Sequence, residues 1–206
     1  MKSAKVLAAF CALFLLFTLT TITYATEEKP SAWTMVKEHS SVNFAVKHLM
    51  ISKVRGTFKD FSATITADKN GKILGLEGIV MTGSVDTGVK MRDDHLRSPD
   101  FFDSAKFPEM KAVLKKITWK GNKFTAEGDL TIKGITKTVT ASGEFLGMRM
   151  VNMGVGDKYY AGFSITGSVN RRDFGLNFAK VINGTAVVDD KVEIYGELEM
   201  TMPVVK

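Results

Sequence analysis

Lys123 to Lys133 reads KFTAEGDLTIK. Phe124, Ala126, Leu130 and Ile132 alternate there with Lys123, Thr125, Glu127, Asp129 and Thr131. Successive side chains of an extended chain point to opposite faces, so this period of two predicts a strand with one face buried and the other in water. The segment 192–200 repeats the pattern, with Val192, Ile194, Leu198 and Met200 set between Glu193, Tyr195, Glu197 and Glu199. Looser versions run over residues 42–48, 54–66, 74–85, 111–119, 138–145 and 159–169. Turn residues separate them, among them Lys69-Asn70-Gly71, Lys120-Gly121-Asn122, Lys133-Gly134 and Gly154-Val155-Gly156-Asp157. Within 54–66, Phe58 and Phe61 lie three positions apart and face one side only if Lys59-Asp60 forms a bulge.

Eight strands joined mostly by hairpins favour an all-β, eight-stranded antiparallel barrel, because closure removes exposed edges. At that strand number the interior is either filled by side chains or holds one small ligand. The inward registers Phe124, Ala126, Gly128, Leu130 and Val139, Ala141, Gly143, Phe145 alternate large with small, and Gly162 and Gly196 add gaps. Glycine weakens a strand, so such positions mark either room for a guest or bends at barrel corners. A membrane barrel would need an apolar outer band, whereas the outward residues include Lys123, Glu127, Asp129, Glu193, Glu197 and Glu199.

At the other end of the chain, Lys2 and Lys5 precede an apolar run from Val6 to Phe17 that ends in Thr23-Tyr24-Ala25. This is the pattern of a cleaved secretory signal over residues 1–25, leaving 26–206 as a single exported domain. The run is too short for a membrane-spanning helix, and nothing later approaches that length. Cys11, the sole cysteine of the 206 residues, lies inside the signal. Disulfides and thiolate chemistry are therefore not expected in the exported domain. The formal charge falls from +6 to +4 once Lys2 and Lys5 are removed, and it is spread without a run. Such a chain gives no nucleic-acid signature.

The stretch MRDDHLRSPDFFD, Met91 to Asp103, concentrates charge against a Phe-Phe pair. Asp86 or Thr87 can cap a short helix in which Val89, Arg92 or Asp93, and Leu96 recur, and Pro99 bars its continuation past Arg97. Ser98-Pro99 then opens a further turn carrying Phe101 and Phe102. Asp93 and Arg97 have the i, i+4 spacing of an ion pair. Asp93, Asp94, Asp100 and Asp103 could supply paired carboxylates, and His39, His48 and His95 a metal triad, but no short ligand spacing and no G-x-S-x-G element supports an enzyme. The alternative is a helix that closes one end of the barrel, with Phe101, Phe102 and Phe107 facing the lumen and Arg92, His95 or Arg97 near its mouth. In Arg171-Arg172, a phosphate clamp competes with two charges that simply face water.

Taken in order, several segments resemble the YceI-like family of bacterial polyisoprenoid-binding proteins. They are His39-Ser40-Ser41-Val42-Asn43-Phe44, Val46-Lys47-His48, Gly56 to Phe61, Ser84 to Thr87, Arg92-Asp93, His95 to Ser98, Asp100 to Asp103, Lys106-Phe107-Pro108, Gly128 to Gly134, Thr136-Lys137 and Arg172 to Gly175. HLRSPDFFD followed by KFP is the most specific. True lipocalins are less similar, since Ser31-Ala32 stands before Trp33 where a G-x-W element would need glycine. Ala112 departs from the family habit of an aromatic residue.

The resemblance implies a lipocalin-like barrel in the periplasm whose apolar pore holds a long-chain isoprenoid lipid, such as a polyprenyl diphosphate or a ubiquinone-like quinone. No catalytic residues, metal or further cofactor are implied, and a homodimer is compatible. Val42, Phe44, Val46, Phe58, Phe61, Phe101, Phe102, Phe107, Leu130, Phe163 and Phe174 are the residues expected at the lumen. Arg92, His95, Arg97 and Arg172 are the candidates for the ligand's polar end. An enzyme acting on a lipid or quinone, or an interaction module using the outer barrel face, are the alternatives.

Overall fold

Strands shape most of the described residues. A computed structural model describes residues 31–154 and 156–204; the expected signal at 1–25 lies outside them. The strands are β1 (Ser31–Met35), β2 (Ser41–His48), β3 (Ser52–Phe58), β4 (Phe61–Ala67), β5 (Ile73–Met81) and β6 (Val85–Asp86), followed by the helix α1 (Lys90–Arg97). After it come β7 (Glu109–Lys120), β8 (Lys123–Ile132), β9 (Ile135–Asn152), β10 (Asp157–Asn170), the short hairpin β11 (Val181–Ile182) and β12 (Thr185–Ala186), and β13 (Val188–Pro203).

These form the closed eight-stranded antiparallel barrel. β1 and β2 lie end to end along β13, β4 and β3 pair with them in turn, and β5 and β6 follow, so each of these couples makes one stave broken at a corner. β7, β8, β9, β10 and β13 complete the ring.

The expected bulge at Lys59-Asp60 is a full break between β3 and β4. Lys59 N donates to Ser84 O and Met81 N to Asp60 O, at 3.1 and 2.9 Å, which fastens the corner. The next stave bends through a 3-10 turn at Thr82–Ser84, where the buried Thr82 hydroxyl donates to Phe107 O and approaches Pro108 O. The strand expected over 138–145 extends to Asn152. Gly147, at φ +130°, makes a bulge against Gly162 that lets Phe145 and Met148 both reach the core, three positions apart.

Most of the inward glycines leave no room for a guest. A Cβ on Gly56 would meet the Phe44 ring at 2.4 Å, one on Gly143 the Phe124 ring at 2.2 Å, and one on Gly128 or Gly196 a backbone carbonyl at 2.6 or 2.3 Å. Cross-strand rings and bent backbone occupy those spaces. Gly78 differs: its nearest neighbours stand 3.7 Å or more away.

The interior divides into two apolar clusters. One packs Trp33, Ile65, Phe124, Phe163 and Met200 together with their neighbours. The other gathers Phe58, Val85, Phe101, Met110, Ile132 and Phe174 beneath α1. Burying so many large side chains, each worth about 1.5–3 kcal/mol, stabilises the barrel without any disulfide.

The helix departs from its expected contacts. Its N-cap is Val89, with no side-chain cap, while Asp86 accepts from Gly88 N at 2.8 Å in the turn before it. Asp93 does not pair with Arg97: it is buried and accepts from Thr87 N and Thr87 Oγ1 at 2.9 and 2.6 Å. Arg97 instead meets Asp94 at 3.0 Å. Local spacing allows both pairs, and the inward pull of Thr87 decides between them.

Candidate ligand-binding cavity

Between the filled cluster and α1 lies a cavity of about 630 Å³, within the range of small-molecule sites. Alternation on β2 points Val42, Phe44 and Val46 into it, and on β13 Val192, Ile194 and Leu198. The stave break brings Phe58 and Phe61 to the same wall. Gly78 and Ala112 face each other across β5 and β7, and Ala112 pairs onward with Leu130, so this wall is thin in side chains. At Ala112 the wall carries a methyl group where the family resemblance leads one to expect an aromatic ring.

The wall nearest α1 carries Arg92 and His95. Arg92 reaches it with Nε donating to Thr87 Oγ1 at 2.7 Å and Nη2 to Thr87 O at 3.0 Å. Thr87 Oγ1 in turn donates to the buried Asp93, so one hydroxyl aims both the cation and the helix. Among the described residues Arg92 forms no ion pair. His95 also lines the cavity, with Nε2 2.8 Å from Asp100 Oδ2 and its ring edge-on to Phe101 and Phe178, each at 5.0 Å.

The expected lumen residues Val42, Phe44, Val46, Phe58, Phe61, Phe101, Phe102, Leu130 and Phe174 all lie in this wall. Phe163 and Phe107 do not. Phe163 points inward but into the filled end, against Phe124 and Phe145 at 6.4 and 5.2 Å. Phe107 lies over Gly134 with Lys106 Nζ 5.3 Å from its ring.

Of the four head-group candidates, Arg92 and His95 face the cavity and Arg97 and Arg172 do not. Arg97 ties the helix to the barrel through Gly83 O and Val85 O, both at 2.8 Å, and the exposed Arg172 pairs with Asp190 at 2.7 Å. None of Asp93, Asp94, Asp100 or Asp103 is in the wall, and His39, His48 and His95 do not converge: His39 pairs with Glu199, at 2.9 Å.

For Arg171 the sequence leaves a phosphate clamp and a charge facing water open, and does not place it at the lumen. Two adjacent charges that simply face water do not describe it, because it is 5 % exposed and part of the cavity wall. Its guanidinium donates to Leu176 O, to Asp189 O at 3.0 Å and to Asp190 Oδ1 at 2.9 Å. Burial pulls it below the ordinary arginine value, while Asp190 opposes the shift. The available signal was the strand alternation running into Arg171, which sends one of two neighbouring arginines inward.

A family model described as the YceI-like domain matches residues 33–200. A UPF0312 protein of Staphylococcus aureus (strain MSSA476) is 34% identical over 167 residues, covering 79% of this chain and 94% of its own. Among solved structures, the Campylobacter jejuni YceI protein superposes with a TM-score of 0.66 at 32% identity, over 77% of this chain and 90% of that one. A polyisoprenoid-binding domain from Saccharophagus degradans shares the fold alone, at TM-score 0.62 and 13% identity over 83% and 98% of the two chains.

Proposed function

Because the chain belongs to the family of YceI-like domains, we propose that it is a non-enzymatic binding protein that carries a long-chain isoprenoid lipid in the barrel lumen, working in the periplasm. The observation that carries this reading is the apolar cavity of about 630 Å³ enclosed by β2, β5, β7 and β13. A mostly apolar lining favours an apolar guest, because binding removes apolar surface from water. The Saccharophagus degradans domain, whose name records polyisoprenoid binding, lends the ligand class.

Each five-carbon isoprene unit buried contributes about 4 kcal/mol gross, at about 0.8 kcal/mol per carbon. Ordering a flexible chain offsets much of this. The tail therefore dominates affinity, and Arg92 and His95 set its direction by meeting the polar end. Carboxylate pairs that would favour chemistry on the ligand stand outside the wall, so binding is preferred over turnover.

Organic extraction of the purified protein, followed by mass spectrometry, is expected to release an isoprenoid lipid in near-stoichiometric amount. Gly78→Phe fills the lumen from the side where a side chain has space, and it should cut retention by roughly tenfold or more while the barrel stays folded. Wild-type protein that comes out empty and takes up no isoprenoid would overturn the reading.

A further inference from the structure

Three segments meet at the α1 end of the cavity wall. The β2–β3 turn is tied to the start of β13 by Leu49 N donating to Val187 O at 3.0 Å and by the His48–Val188 pair. The connection through β11 and β12 reaches α1 by the contact of Phe178 with His95, at 5.0 Å. All three segments contribute to the wall, through His48, Arg92, Phe178, Lys180 and Val187.

Each segment also turns a large apolar side chain outward. Ile51 at the turn is 86% exposed, Met91 in the first turn of α1 is 81% exposed and Val181 on the hairpin is 64% exposed, with Ile182 beside it. Single exposed apolar side chains are ordinary, but a group of them on projecting tips around one cavity marks a contact surface. Lys47 and Arg55 stand on the strands that lead into and out of the β2–β3 turn and Lys180 just before β11, and none of the three forms an ion pair among the described residues.

We propose that this rim docks on an anionic lipid bilayer, with Ile51, Met91, Val181 and Ile182 entering the interface and the flanking cations meeting lipid phosphates. Shallow insertion of apolar tips beside basic residues is the usual physics of interfacial binding. A second copy of this chain fits the rim less well, because a twofold interface sets the same patch against itself and brings the unpaired cations together. The inference rests in part on the carrier reading, since a docked mouth lets an apolar chain pass from bilayer to lumen without crossing water.

The test is flotation of the protein with vesicles of phosphatidylcholine containing about one-third phosphatidylglycerol. Wild type should float with them, and roughly 0.5 M salt should weaken the association. The combined variant Ile51→Asn, Met91→Gln, Val181→Thr, Ile182→Asn should bind roughly tenfold more weakly or worse. An equal change at Leu146, Met150 and Met153, exposed on and just beyond β9, should leave binding unaltered. Gly78→Phe, with the lumen blocked and the rim intact, should still float. If it floats while wild type holds no isoprenoid, docking survives and the carrier reading fails. Wild type that ignores the vesicles, equal loss in both surface variants, or a wild-type dimer that the rim variant converts to monomer would each overturn docking.

Discussion

Gly56 and Gly143 face Phe44 and Phe124 directly across a strand pair, and each ring covers the glycine opposite. The two sites differ in what stands behind the ring. An added Cβ at Gly143 also meets Ser164 O at 2.6 Å, whereas at Gly56 the further neighbour is the Thr87 methyl at 2.9 Å. A ring can swing and backbone cannot. Gly143→Ala is therefore expected to lower stability by about 2–3 kcal/mol in urea unfolding, with no relief from Phe124→Leu. Gly56→Ala should cost about 1–2 kcal/mol, and a double-mutant cycle with Phe44→Leu should show relief. No coupling between positions 44 and 56 would contradict the packing described. Because Phe44 lines the cavity, displacing its ring also narrows the lumen.

The helix depends on one buried carboxylate. Asp93→Ala removes the acceptor of Thr87 N and frees the hydroxyl that aims Arg92, so a loss of about 1–3 kcal/mol is expected. Hydrogen exchange should show it at Thr87 and α1 first, with the barrel strands still protected. Legibility also varies from element to element. β8 and β13 could be read from alternation because nearly every outward position is polar, and this fixed the fold class and most of the lumen. β1 could not, since five residues with two large apolar side chains, Trp33 and Met35, are too few to establish a period. The second half of β9 could not, because the Gly147 bulge breaks the period of two. Asp93 and Arg97 depart from expectation because the turn before α1, not helix spacing, supplies their main partners, and Phe163 because only the closed barrel says which end of the lumen is filled.

At the scale of the molecule, exposed ion pairs set the response to pH. Lys59, Lys90 and Lys53 hold Asp86, Asp94 and Glu193 below their ordinary values, and Thr138, with Lys115, does so for Asp129. Their contribution is complete above roughly pH 4 and is lost as acid carries the pH through the lowered values. His39 behaves oppositely: its hydrogen bond to Glu199 raises it, so its share is present below roughly pH 6.5 and fades as the pH climbs through the raised value. Urea midpoints should be level from about pH 4.5 to 6.5, with small losses on either side that salt flattens. Glu199→Gln should abolish the loss on the alkaline side alone. One further consequence comes from β13, which joins β10 to both β2 and β1, Thr34 meeting Thr201. Ribosomes deliver this strand after all its partners, so a nascent chain cannot seal the cylinder until its last stave emerges. Such long sequence separations slow closure to the millisecond-to-second range, leaving a threadable, unsealed polypeptide throughout synthesis.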